Sequence, residues 1–227
     1  MKTQQTTQQK IQKMAILSIF AAIAFVTTLV FRVRIQFLTF DIKDALICIC
    51  AMSMGPVSGI IVSLLVAFIE MVTISDTLLY GFFMNFLSSA TFATVASLLY
   101  RKSRNLYGAI LALLCAAIST VAVMLTFNLL VTPLYLETTR AFVADMILPT
   151  LLPFNAVKTV VNAGFTMLLY KPVTQAMVKA KVYKKSQQTS FSAHKTLLVS
   201  LASALVIIAA ICVCVYVLGG KINFFKL

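Results

Sequence analysis

The sequence predicts an all-α membrane bundle: a six-helix core with a short second helix, followed by a seventh membrane helix. Three observations predict it. Of the 227 residues, 61% are hydrophobic and only 11% charged, against roughly 45–50% and about 25% in soluble globular chains. Mean hydropathy is +0.99, which leaves too little polar surface to cover a soluble domain and excludes disorder, since disorder requires low hydrophobicity and high charge. The apolar residues also fall in long runs with basic and acidic residues sorted between their ends, the pattern of a multi-pass protein.

The elements follow in order. Residues 1–13 form a polar, basic leader. Met14–Phe31 is uncharged for 18 residues and predicts the first helix over 14–31. A cleaved signal peptide is the competing reading, but no small-residue cleavage site follows before Arg32. Ala45–Ile69 is uncharged for 25 residues and is interrupted by Gly55-Pro56. Thr77–Tyr100, Asn105–Leu136 and Thr196–Gly220 are uncharged for 24, 32 and 25 residues, and Met146–Tyr170 carries one charge, Lys158.

The Ala45–Ile69 run decides the topology. If it turns at Gly55-Pro56 and crosses twice, 12 of the 19 basic residues share one face with the N-terminus, among them Arg101, Lys102 and Arg104. All six acids, Asp41, Asp44, Glu70, Asp76, Glu137 and Asp145, then fall at the opposite ends. Because Lys and Arg favour the cytoplasmic side, the N-terminus is expected on the inner face of the cell membrane. The +13 net charge therefore reports membrane orientation, and no nucleic-acid partner is expected.

Two crossings carry a geometric cost. The 35 residues Asp41–Ser75 give about 52 Å of helix, whereas two crossings need about 60 Å. One helix must be short, and the chain before it must dip into the protein. Irregular backbone at that depth must be covered by protein or line a cavity, so Arg32–Lys43 becomes a candidate pocket wall. The helices are expected near 14–31, 44–54, 57–74, 81–100, 106–130 and 147–171. In domain terms, a six-helix domain over 14–175 precedes a basic cytoplasmic linker over 176–195, and a further membrane helix and tail occupy 196–227.

Chemistry for catalysis is missing from the sequence. Gly219-Gly220-Lys221 lacks the earlier glycine of a phosphate-binding loop, there is no HExxH or GxSxG, and the one histidine, His194, sits in the basic linker. No enzyme activity and no cofactor are expected. Cys48-Ile49-Cys50 and Cys212-Val213-Cys214 resemble metal pairs, but side chains at i and i+2 on a helix do not face each other. They read as core cysteines, and no metal site is expected.

Polar side chains inside membrane helices are costly and face a cavity or a partner. Leu152-Pro153-Phe154-Asn155-Ala156-Val157-Lys158 places Asn155 and Lys158 at i and i+3, on one helical face, where an amide and an ammonium suit the carbonyls of a polar ring. The competing reading is that Lys158 snorkels to the interface. Asn128 and Asn85 serve either a ligand or interhelical hydrogen bonding. Gly81, after Tyr80, permits a close approach or marks a helix-entry turn. Phe40 and Asp41 lie in the first loop at the same end. Phe82, Phe83, Phe86, Phe127 and Phe154 flank the polar positions, and aromatic walls with few amides suit a flat heteroaromatic ligand. Ser18 and Ala22 form a small-xxx-small pair, for internal packing or for a partner subunit.

Thr39-Phe40-Asp41-Ile42-Lys43-Asp44, Met54-Gly55-Pro56, Tyr80-Gly81-Phe82-Phe83-Met84-Asn85-Phe86 and Leu152–Lys158 resemble the substrate-binding S components of energy-coupling factor (ECF) vitamin transporters, most closely their riboflavin-specific branch, over about residues 10–175. The resemblance implies a six-helix fold with a long first loop that closes over the vitamin. It implies that Asn155, Lys158 and Asn128 bond riboflavin, with Phe40, Asp41, Tyr80 and Gly81 as further pocket residues. It also implies that helix 1 docks a transmembrane coupling subunit bound to two ATPases, the docking motif falling on Ser18 and Ala22, although that motif prefers alanine at both places. The seventh helix departs from the family pattern. A different vitamin, such as folate or thiamine, or a membrane scaffold or sensor are the alternative functions.

Overall fold

A computed structural model describes residues 7–35, 37–179, 201, 203–205 and 207–209. It is a helical bundle. Helix α1 (Thr7–Val30) leads into a hairpin of β1 (Val33–Ile35) and β2 (Leu38–Phe40). Helices α2 (Lys43–Met54), α3 (Pro56–Thr73), α4 (Leu78–Tyr100) and α5 (Leu106–Leu136) follow. A short α6 (Arg140–Asp145) then runs through a π-helical turn, Ile147–Leu151, into α7 (Leu152–Lys179). Among the described residues, α1, α3, α4 and α5 are long and apolar enough to cross a membrane.

The run 45–69 does form two helices. Gly55 joins them with φ 108°, a left-handed conformation that glycine adopts without a Cβ penalty, and Pro56 opens α3, where its missing N–H costs nothing. The two helices lie antiparallel: Lys43 at the start of α2 meets Glu70 near the end of α3, with Nζ 2.7 Å from Oε2. The turn lies at the other end of the bundle, where a Cβ on Gly55 would come 3.7 Å from an Arg101 guanidinium nitrogen. The basic cluster after α4 and the acids Asp41 and Glu70 are therefore at opposite ends.

With 12 residues, α2 is about 18 Å long, the short helix that the length argument requires. Every residue from Lys43 to Met52 is buried, because α2 packs against α1, α3, α4 and α7. A helix apolar all round is a central one. Cys48 and Cys50 are free thiols within this core, whereas Cys212 and Cys214 lie outside the described residues.

The dip before α2 is more ordered than expected. Val33 pairs with Phe40 and Ile35 with Leu38 in an antiparallel ladder. The β-branched and aromatic residues favour strands, and the ladder satisfies backbone groups that irregular chain would leave unpaired.

Several boundaries also differ. The polar leader is already helical from Thr7. Helix α4 begins at Leu78, three residues before the expected start. Helix α5 continues through Pro133 to Leu136, since proline forfeits one helical hydrogen bond without ending the helix. Helix α7 runs past Pro172 to Lys179, into the stretch expected as linker. The remainder of that linker lies outside the described residues, and so does most of the expected seventh helix. Within the latter, residues 201, 203–205 and 207–209 are helical.

Candidate functional site

One end of the bundle gathers the last turn of α1, the hairpin, the first turn of α2, the end of α3, the start of α4, the end of α5 and the start of α7 around a cavity. Its volume is about 120 Å³, an order of magnitude more than one water needs.

Helix α7 supplies its best-defined polar wall. Asn155, Lys158 and Asn162 recur at i, i+3 and i+7, so they share a face, and all three are buried. Lys158 Nζ donates to Asp41 Oδ2 at 3.0 Å and to the Thr39 carbonyl at 3.4 Å. An ammonium has three donors, so one remains uncommitted among the described residues. Asn155 Nδ2 donates to the Leu151 carbonyl at 2.8 Å, within the π-helical turn. Its Oδ1 and second N–H have no partner among the described residues. Asn162 is structural: its Nδ2 donates to the Asp41 and Lys158 carbonyls at 3.0 and 2.9 Å, while its Oδ1 accepts the Ala45 N–H at 2.9 Å. That bond satisfies one of the orphan donors at the start of α2.

Opposite stands a second polar wall. Lys43 Nζ donates to both Glu70 oxygens at 2.8 and 2.7 Å. Thr28 Oγ1 lies 3.1 Å from Glu70 Oε1, and Asn85 Nδ2 donates to Glu70 Oε2 at 3.0 Å. Lys43 also lies 3.4 Å from Asp41 Oδ2, so Asp41 bridges the two walls. Asp44 accepts from Ser89. Three carboxylates and two ammoniums are thus buried together; Asp41 and Glu70 are paired with the two lysines, and Asp44 is held by the Ser89 hydroxyl.

The cavity mouth is aromatic. Tyr135 at the end of α5 meets Phe37 at the hairpin tip, with ring centroids 6.3 Å apart, and Tyr80 of α4 at 6.1 Å. Phe154 adds a further aromatic face to the lining. Of the other phenylalanines that flank the polar positions in sequence, Phe83 and Phe127 are exposed, and Phe82 stacks with Phe86 at 6.3 Å.

Six of the eight residues expected in a ligand site line this cavity: Asn155, Lys158, Asn128, Tyr80, Gly81 and Asn85. Asn128 is partly committed within α5, donating to the Met124 carbonyl at 2.7 Å and accepting from Thr132 at 2.9 Å. Gly81 lies inside α4, not at its entry, and its role is space: a Cβ there would come within contact-forbidden range of Thr77 Oγ1 and lie 2.7 Å from Ser75 Oγ. The other two sit behind the lining. Asp41 is fully buried beneath Lys158, and Phe40 packs against Ile42, Val157 and Val161. Ser18 and Ala22 are both on the exposed face of α1, not in the internal packing.

Glu70, Thr28 and Asn162 were not anticipated as part of this assembly, and Lys43 only as the end of the Arg32–Lys43 pocket wall. Asn162 has a local signal, four residues beyond Lys158 on the same face. Glu70 and Lys43 read locally as interface charges. Their pairing spans 27 residues across a helical turn, which no local spacing reveals.

The family model for "ECF transporter, substrate-specific component" matches residues 12–170. The chain is 31% identical over 174 residues to "Riboflavin transporter RibU" of Staphylococcus aureus (strain TCH60), a match covering 72% of this chain and 90% of the relative. A solved structure described as "Structure and mechanism of the S component of a bacterial ECF transporter" superposes with a TM-score of 0.64 at 29% identity, covering 74% of this chain and 98% of that one.

Proposed function

Because this chain belongs to the substrate-specific component family of ECF transporters, a transport family and not a family of enzymes, we propose that it binds riboflavin at the outer membrane face and delivers it inward. The observation that carries this reading is the cavity itself. Uncommitted groups on Asn155, together with the remaining donor of Lys158, face a space with aromatic rings at its mouth. An isoalloxazine ring has a flat apolar body and one edge of carbonyls and ring nitrogens, which an amide and an ammonium would grip. The Glu70, Asn85 and Thr28 wall offers acceptors and donors to a hydroxylated tail. Similarity to a riboflavin transporter supports the same ligand.

Orientation follows the charges. Lys10, Lys13, Arg101, Lys102 and Arg104 favour the cytoplasmic side, which puts the cavity outside and the N-terminus inside. Delivery then requires an energy source elsewhere, which we assign to a transmembrane coupling subunit and two ATPases. The exposed small residues Ser18 and Ala22 on α1 are our candidate contact for the coupling subunit, since small side chains allow close helix approach.

Titration of the purified protein with riboflavin, followed by quenching of flavin fluorescence, tests the ligand. Saturable quenching at one flavin per chain is expected. Failure to quench, with binding of folate or thiamine instead, would transfer the site to that vitamin.

A further inference from the structure

We infer that the C-terminal helical segment braces the base of the hairpin that lines the cavity, with Ile207 acting as a positioning residue for ligand retention. The inference rests on the riboflavin reading above. The family match ends at residue 170, and 72% of this chain already covers 90% of the riboflavin-transporting relative. The segment near residue 207 is thus an addition to the shared core.

Its seating is specific. Ser203 and Ile207, one helical turn apart, are both 8% exposed, while Leu201, Leu205 and Ile208 are exposed. The buried face rests on α7 at Gly164, where a Cβ would come 2.9 Å from Ile207 Cγ1 and 3.5 Å from the Ser203 carbonyl oxygen. The absence of a side chain at Gly164 leaves room for Ile207 to seat against α7. Ile207 also forms one apolar cluster with Ile42, Val157 and Val161, against which Phe40 packs.

Those neighbours give the contact its consequence. Ile42 follows Asp41, the carboxylate that holds Lys158, and Val157 precedes Lys158 in α7. Phe40 ends β2, the strand whose Leu38 and Thr39 line the cavity. Ile207 therefore packs behind the ion pair that ties the hairpin to α7. A lining segment that must move for a ligand to leave commonly sets its release rate. With the brace in place the hairpin base has little room to leave α7. Without it, the hairpin base keeps the Asp41–Lys158 pair, Asn162 and the packing of Phe40 and Ile42 on Val157 and Val161, but loses the contact behind them.

Stopped-flow flavin fluorescence on the full-length protein tests this. Ile207→Ala should raise the riboflavin dissociation rate about tenfold, the scale of losing one buried aliphatic contact, and leave the association rate nearly unchanged. Leu205→Ala, on the exposed face, should change neither. Gly164→Val should displace the segment and raise dissociation in the same way. Gly164→Ala combined with Ile207→Ala should return the rate toward that of the parent, because the added methyl fills the space vacated by Ile207. An unaltered dissociation rate in Ile207→Ala would overturn the inference, and so would equal changes in both rate constants. If the parent protein binds no flavin, the ligand reading fails while the brace remains testable. Maleimide should then label Leu38→Cys faster when combined with Ile207→Ala, and equal labelling would refute the brace.

Discussion

Lys158 Nζ lies 3.0 Å from Asp41 Oδ2, and the carboxylate is fully buried. This pair ties the hairpin end to α7 across 117 residues of sequence. It also answers the question of whether Lys158 snorkels: the side chain is buried and points to the cavity lining, not to an interface.

If the remaining ammonium donor contacts ligand, Lys158→Met should weaken riboflavin binding by about 1–3 kcal/mol, the cost of leaving a buried hydrogen-bonding partner unsatisfied. That corresponds to roughly 5- to 150-fold in Kd, measured by fluorescence quenching. An unchanged Kd would leave Lys158 as the counter-ion of Asp41 alone.

Lys43 and Glu70 form a buried pair that should matter for stability. Lys43→Met leaves Glu70 buried with only Thr28 and Asn85 beside it. Breaking such a pair costs about 3–5 kcal/mol, whereas replacing both charges with apolar residues is often near neutral. The double variant Lys43→Met with Glu70→Leu should therefore unfold at a higher temperature than Lys43→Met alone. The buried thiols of Cys48 and Cys50 supply the readout, since a thiol-reactive dye labels them as the core opens. A double variant less stable than the single one would contradict this account.

The proposed orientation predicts a labelling pattern. In a cysteine-free background, Arg140→Cys should react with an impermeant maleimide in intact cells, and Ser103→Cys only after permeabilisation. Both positions are exposed, at opposite ends of α5. The reverse pattern would invert the orientation.

Helix existence was legible because a membrane span must be a long apolar run, whatever it packs against. The break at Gly55-Pro56, the short α2 and the opposition of acids and bases all follow from length and charge. Helix ends were less legible. The cap after α5 depends on Glu137 turning left-handed at φ 53°, and α4 starts at Leu78 with φ 44°, conformations that composition does not announce.

Within the site, the Asn155–Lys158 face could be read from spacing, because helical geometry converts i, i+3 directly into proximity. Asp41 was readable from position as a loop residue and from the family resemblance as a pocket residue, but its place beneath Lys158 depends on how the hairpin folds back.

By itself, then, the sequence determined a polytopic helical protein with a polar face at one end of its last core helix. Burial of apolar length in a bilayer is a local property of each segment, so local reading suffices. Only the tertiary structure decided which charges meet, making Glu70 the partner of Lys43 and Asp41 the bridge between two walls. Such pairings join residues far apart in the chain, and buried charge is stable only where the fold brings its counter-charge into contact.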